Sequence, residues 1–247
     1  QPGGGFGHRK KLVVVGGASG IARQIARDAA AEGADVVLAG RDEQAIAAAR
    51  RQVLEETRGR AAVEARRIDL GDEGSIRRAA EEIGELDYLV SVAAAHANGP
   101  VPELDRAAVV RAFDAKVIGP ILLGKHFGAR FRAGGAFLLF SGVAAWRPVP
   151  GRTVMAAANG AVSFLAEALA VELAPVRVNA LSPGIVDSGA WDGLGERKDR
   201  FLAEVAARNP ARRVGSTGDI SAAALLALTN PFLTGTTLHV DGGGRLA

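Results

Sequence analysis

Three features of the 247-residue chain predict a doubly wound α/β domain: short apolar strands that do not alternate, amphipathic helices between them, and a glycine-rich turn after the first strand. A strand buried on both faces has no polar side to present, so an unbroken apolar run marks a parallel sheet covered on both sides. The first run, Lys10–Val15 (KKLVVV), ends on Gly16-Gly17. Helical spacing takes over from Ile21 to Ala31, where Ile21, Ile25 and Ala29 recur every fourth residue. Asp35–Ala39 (DVVLA) reads as the second strand and Glu43–Arg58 as an Ala- and Arg-rich helix. Val63–Ile68, Ser75–Ile83 and Asp87–Val92 repeat strand, helix and strand. One long helix is expected over Leu104–Phe131, then a fifth strand over Gly135–Ser141, a helix over Val154–Leu173 and a sixth strand over Arg177–Leu181. A looser stretch, Pro183–Leu194, leads to helices near 197–207 and 218–228 and a last strand, Thr237–Val240. No Pro/Ser-rich linker interrupts the seven strands, so residues 10–247 form one domain and residues 1–9 are expected to be a flexible lead-in.

Composition narrows the chemistry. Hydrophobic residues make up 48% and charged residues 23%, which argues against disorder. With no cysteine, disulfides, thiolate nucleophiles and sulfur-ligated metals are excluded. His8, His96, His126 and His239 are scattered without metal-ligand spacing, so no metal site is expected. The 30 basic and 27 acidic residues are interspersed, and no basic stripe or recognition module points to nucleic acid. No run of 18 apolar residues suggests a membrane span, and a cytoplasmic location is expected. There is one tyrosine, Tyr88, so chemistry that needs a phenol has one candidate.

The turn Val15-Gly16-Gly17-Ala18-Ser19-Gly20-Ile21 joins a strand to a helix. Glycine lets the backbone approach a phosphate, and the unpaired N–H groups of the helix start favour an anion there. Gly16, Ala18, Ser19, Gly20 and Ile21 are therefore expected to bind a pyrophosphate, in the manner of a Rossmann-type domain. At the end of the second strand, an acid would accept hydrogen bonds from ribose hydroxyls and a base would pair with a 2′-phosphate. The sequence there is Gly40-Arg41-Asp42, so Arg41 favours NADP(H) over NAD(H). Arg41 paired with Asp42 in solvent is the plain alternative.

From Lys11 to its end the chain resembles the short-chain dehydrogenase/reductase family. The resemblance rests on Gly16–Ala22, Asp69-Leu70, Leu181-Ser182-Pro183-Gly184 with Ser188, Arg213–Ile220, and Gly235 followed by Val240-Asp241-Gly242-Gly243. It implies that Asp69 and Leu70 meet the adenine end of the cofactor and that Pro183, Gly184, Ile185 and Ser188 flank the nicotinamide. It also implies a homodimer or homotetramer built on the fourth and fifth long helices, where Ala156, Ala157, Ala158, Gly160 and Ala161 permit close approach; those alanines also suit a helix packed on its own sheet.

The sequence departs from the family pattern. Val15 and Ala22 replace threonine and glycine around the first motif, and Ser91-Val92-Ala93-Ala94 replaces Asn-Asn-Ala-Gly. Family catalysis uses a tyrosine and a lysine four residues on, which share a helix face. Met155 and Asn159 stand at those positions, Gly142 at the serine and Lys116 at the asparagine. Methionine has no exchangeable proton. Asn159 can still hydrogen-bond a ribose hydroxyl.

Other residues are candidates for the missing chemistry. Lys116 reads as a desolvated acid or base, or as a structural replacement that ties the strand ends. His96 lies in a loop at the carboxyl edge of the sheet, as an acid/base group or a polar loop residue. Trp146, Arg147 and Arg152 lie where the substrate cleft is expected, and they also suit subunit contacts or solvent. His126 is expected to pack or to meet a partner helix. Asp187 and Ser188 lack the base a nucleophile needs. Two functions follow: an oxidoreductase acting with NADP(H) on a small carbonyl or alcohol, or a catalytically inactive nucleotide-binding or assembly protein. A lyase or isomerase on the same fold is the third reading.

Overall fold

The computed structural model describes Phe6 and residues 9–247. Strands β1 (Lys11–Val15), β2 (Asp35–Gly40), β3 (Val63–Arg67), β4 (Leu86–Ser91), β5 (Phe131–Phe140), β6 (Arg177–Pro183) and β7 (Thr237–Val240) form one sheet in the order β3-β2-β1-β4-β5-β6-β7. Every pairing is parallel. The helices are α1 (Gly20–Ala31), α2 (Glu43–Glu56), α3 (Glu73–Ile83), α4 (Arg106–Phe113), α5 (Gly119–Phe127), α6 (Thr153–Glu172), α7 (Lys198–Arg208) and α8 (Thr217–Thr229). The winding reverses between β1 and β4. The carboxyl ends of those strands therefore border the crevice where ligands bind in such sheets.

The strands are apolar throughout because helices cover both faces. Leu12 and Val14 of β1 pack with Ile25 and Ala29 of α1 and Ile220 and Ala224 of α8. Val13 and Val15 point the other way, into a core with Ile76 of α3, Leu123 and Phe127 of α5, and Val162 and Ala166 of α6. Each fully buried side chain of this size contributes about 2 kcal/mol. Phe6 sits against Tyr88, with ring centroids 5.0 Å apart and the rings tilted by 63°. Tyr88 is paired with Leu12, near the start of β1 and at the far end of the sheet from Gly16. Residues 1–5, 7 and 8 of the expected lead-in lie outside the described residues.

The sequence predicts one helix over Leu104–Phe131, and the structure divides it. A wide π turn, Asp114–Ile118, separates α4 from α5, and β5 begins at Phe131 rather than Gly135. Pro120 accounts for the break. It has no N–H to donate to the carbonyl of Lys116 four residues back, and its ring crowds that carbonyl. The wide turn relieves both problems, with the Gly119 N–H donating to the Asp114 carbonyl five residues back. Lys116 falls inside this turn and is buried.

By length and composition α6 is apolar enough to cross a membrane, with a mean hydropathy of 1.6. Here Met155, Ala158, Val162, Ala166 and Leu169 bury one side of it in the domain, while Phe164 and Val171 are exposed.

Candidate nucleotide and substrate site

The turn after β1 is anchored before any ligand is considered. The N–H groups of Gly16 and Gly17 both donate to the Ala39 carbonyl, at 2.8 and 3.0 Å, which fastens the turn to the end of β2. Gly16 has φ +90°, and a Cβ there would stand 2.6 Å from the Ala93 nitrogen. Neither the conformation nor the space accepts a side chain. The Ser19 hydroxyl caps α1 by accepting from the Ala22 N–H at 3.1 Å. The other first-turn amides have no intrahelical partner. The Ala22 methyl is wholly buried in the core, so the alanine found where the family has glycine stays clear of the turn.

A cavity of about 470 Å³ opens above this turn. Its walls bring together Gly16, Ala18, Ser19, Arg41, Asp69, Leu70 and His96. Asp42 also lines it, but its carboxylate caps α2, accepting from the Gln44 and Ala45 N–H groups at 3.0 and 3.1 Å. The acid beside Arg41 is thus committed to the helix. Asp69 accepts from the Gly71 N–H at 2.9 Å, which shapes the loop at the adenine end. Arg111 and Asp114 line the cavity too. Sequence reasoning missed them, because nothing in the chain announces that α4 and its wide turn lean over the crevice.

The segment after β6 is placed differently. Pro183, Gly184, Ile185 and Ser188 are not walls of that cavity. Gly184 packs against Asp241, where a Cβ would meet the Asp241 Cα at 2.7 Å, and the Ile185 carbonyl accepts from the Gly215 N–H at 3.0 Å. The Ser188 carbonyl closes directly over Gly20. Gly20 and Ser188 instead border a second cavity of about 190 Å³ with Arg23, Gln24 and Thr217. Ile21 packs against the core. The start of α1 is therefore approached from two sides, and Gly20 is what lets the β6 loop come so near.

Lys116, Gly142, Met155 and Asn159 are not among the residues that line this cavity. The Lys116 ammonium donates to the carbonyls of Phe140 and Ser141, at 2.6 and 3.3 Å, and so ties the end of β5. Burial lowers its pKa to about 8. Met155 is buried in a small apolar cluster with Ala97, Ala112 and Val154. Gly142 is extended, with φ 179°, so its lack of a side chain serves space rather than backbone freedom. A Cβ there would stand 2.8 Å from Asn159 Nδ2. Asn159 is buried, and its Oδ1 has no hydrogen-bond partner among the described residues. The Ser141 hydroxyl, the nearest to the serine position, is already used: it donates to the Asn159 carbonyl at 2.7 Å.

His96 stands in the loop after β4. Partial burial lowers its pKa, and the positive charges of Lys116 and Arg152 push the same way. The Gly99 N–H donates to the Gly151 carbonyl at 2.9 Å, which latches the His96 loop to the segment before α6. Trp146 stands edge-on to His239, with centroids 4.7 Å apart. The half-buried His126 ring shares a hydrogen bond with Glu73 at 2.9 Å, beside the Lys125–Glu73 ion pair. Asp187 pairs with Lys198 at 3.0 Å. No cluster of three or more potential metal ligands occurs among the described residues.

A seven-stranded parallel sheet with a glycine turn at its winding reversal and a cavity above that turn defines a Rossmann-type nucleotide-binding domain. The chain belongs to the short-chain dehydrogenase/reductase family. Residues 16–244 match the family model described as enoyl-(acyl carrier protein) reductase. The chain is similar to the short-chain reductase protein NovJ of Streptomyces niveus, with 32% identity over 94% of this chain and 92% of the relative. It is also similar to a cis-4-hydroxycyclohexanecarboxylate dehydrogenase of Sinomonas cyclohexanicum, with 34% identity over 94% of each chain. Among solved structures it resembles a small-chain dehydrogenase in complex with NADPH, with 32% identity, a TM-score of 0.82, and 97% and 100% of the two chains covered.

Proposed function

We propose that the protein is an NADP(H)-dependent oxidoreductase acting on a small carbonyl or alcohol without the family's tyrosine relay. The observation that carries this reading is the 470 Å³ cavity, which sets the glycine turn, Arg41 and Asp69 around one space. The side-chain-free cradle at Gly16 fits a dinucleotide at a phosphate. Arg41 would hold the 2′-phosphate, and Asp42, spent on capping α2, opposes it less than a free carboxylate would. The NADPH complex of the 32%-identical structure supports the same preference. Bound NADP(H) would supply the hydride. The chain must then orient the substrate and move one proton. His96 lines the cavity and burial brings the Lys116 pKa down to about 8, so these two are the proton carriers, directly or through water. The similarity to the Sinomonas cis-4-hydroxycyclohexanecarboxylate dehydrogenase supports a small hydroxy compound as substrate.

A second reading has its own observation: Met155 sits in a closed apolar cluster, as in a protein that binds nucleotide without turnover. Titration with NADPH and NADH separates the cofactors. NADPH is expected to bind at least about tenfold tighter, the ratio of one charge-assisted hydrogen bond, and tighter NADH binding would defeat the assignment. A carbonyl screen with NADPH should then show consumption that falls sharply in Lys116→Met or His96→Ala. Tight NADPH binding with no turnover on any substrate favours the second reading. A cytoplasmic homodimer or homotetramer without nucleic-acid partners belongs to the same proposal; for the oligomer alone, the exposed Phe164 and Val171 on α6 offer an apolar surface. Light scattering that finds a monomer at micromolar concentration would remove the oligomer.

A further inference from the structure

An asparagine loses its carboxamide spontaneously where the next residue has a backbone N–H to attack with, no side chain crowds that nitrogen, and the main chain is free to turn. The chain has five asparagines, at 98, 159, 179, 209 and 230. Pro210 and Pro231 follow two of them and have no N–H to offer. Asn179 is buried in β6, its carboxamide donating to the Leu233 carbonyl and accepting from the Thr236 N–H. Asn159 precedes Gly160, but it is buried within α6, where main-chain N–H groups are spent on carbonyls four residues back. Asn98 alone combines exposure, a place outside any helix or strand, and a glycine after it. Gly99 has φ +125°, and a Cβ there would meet nothing within 4 Å, so the space beside it is open. The loop is pinned on either side of Asn98. Ala97 is buried in the apolar cluster with Met155, and the Gly99 N–H donates to the Gly151 carbonyl at 2.9 Å.

We propose that Asn98 is a self-modifying site, whose conversion to isoaspartate releases the loop carrying His96 from the segment before α6. The Gly99 nitrogen attacks the Asn98 Cγ. The N–Cγ bond forms and the Cγ–Nδ2 bond breaks. The proton lost by Gly99 passes through water to the departing nitrogen, which leaves as ammonia. Water then opens the five-membered imide at either carbonyl, giving aspartate or isoaspartate. In isoaspartate the main chain runs through Cβ and Cγ and is one methylene longer, so the two anchors no longer match the loop between them. The product also carries a carboxylate two residues from His96, a wall of the 470 Å³ cavity. The latch sets the pace: while the Gly99 N–H donates to Gly151 its proton is engaged, and the attack waits on local opening. The chemistry needs no bound cofactor and stands apart from the oxidoreductase reading.

The test ages the folded full-length protein at mildly alkaline pH, beside a sample unfolded in urea, and reads each asparagine by peptide mass spectrometry. Labelling with a protein isoaspartate methyltransferase tells isoaspartate from aspartate. In the folded protein, acid should accumulate at least about tenfold faster at 98 than at 159, whose carboxamide and following N–H are freed only by a larger opening. In urea the two Asn-Gly steps should convert within about threefold of each other. Hydrogen exchange at the Gly99 amide should speed up at least about tenfold once residue 98 is isoaspartate. Freshly purified Asn98→Asp, which adds the charge without the methylene, should keep the slow exchange, and Asn98→Gln should abolish the modification at 98. Equal rates at 98 and 159 in the folded protein, or conversion at 98 only after unfolding, overturns the proposal. So does isoaspartate at 98 with the Gly99 amide as protected as before.

Discussion

Lys116→Met probes the residue on which both the packing and the proposed chemistry turn. The lysine is buried, its partners are two neutral carbonyls, and burial takes its pKa from 10.5 to about 8. At 1.36 kcal/mol per unit, keeping it charged inside the protein costs roughly 3 kcal/mol. The sign follows from proton counting. Below pH 8 the amine is protonated in both folded and unfolded chains, and the whole penalty is present. Between about 8 and 10.5 the unfolded chain holds a proton that the folded one has released, so stability rises with pH. Above 10.5 both forms are neutral and the penalty is gone.

Methionine removes this titration along with two hydrogen bonds, whose loss costs about 1–3 kcal/mol. At pH 7 the two effects nearly cancel, and Lys116→Met should match the wild type within about 2 kcal/mol. The informative quantity is the wild-type stability minus that of the variant, measured by urea unfolding at steps from pH 7 to 10.5. It should climb by roughly 3 kcal/mol across that window. Other titrating groups are common to both proteins and drop out. A flat difference would refute the view that Lys116 is a strained, desolvated base. If Lys116 also carries the proton in reduction, turnover should fall above pH 8 as the amine loses its proton. A profile unchanged in the variant would confine the lysine to holding β5.

Two further substitutions test the packing. Gly16→Ala meets both a positive φ and a 2.6 Å approach to the Ala93 nitrogen, so it should lower stability by about 3 kcal/mol or more and weaken NADPH binding at least tenfold; a variant with wild-type melting and affinity would contradict the cradle. Gly142→Ser drives its Cβ toward Asn159 Nδ2 at 2.8 Å and should destabilise by about 1–3 kcal/mol. In an Asn159→Ala background the same change should be nearly neutral, and additive effects in this cycle would show that the two positions are not coupled.

Most of the architecture was readable because it is local. Each strand is an uninterrupted apolar run, and each glycine of the β1 turn sits where a short spacing demands it. The break at Asp114–Ile118 was less readable, since Pro120 acts on a carbonyl four residues earlier and the chain answers with a wide turn rather than a stop. The cofactor half of the site divided along the same line. Arg41 and Asp69 follow directly from strand ends, whereas the position of Ser188 over Gly20 depends on how a long loop folds back across the sheet. The identities at 116, 142, 155 and 159 are plain in the sequence. What they do is not, because the partners of Lys116 are 24 and 25 residues away.

Those four residues are better understood together than one by one. Glycine at 142 leaves a gap, and the Asn159 carboxamide fills it. Ser141, between them in space, hydrogen-bonds the Asn159 carbonyl and so fixes the turn of α6 from which that carboxamide projects. Lys116 then holds the carbonyls of Phe140 and Ser141, immediately before the gap. Met155, one turn earlier on α6, is taken up by the apolar cluster beneath the β4 loop. Lys116, Ser141, Gly142 and Asn159 thus form one linked set, with Met155 in a separate apolar cluster beside it. Serine alone at 142 would bring its Cβ within 2.8 Å of Asn159 Nδ2, so a change at 142 calls for a matching change at 159.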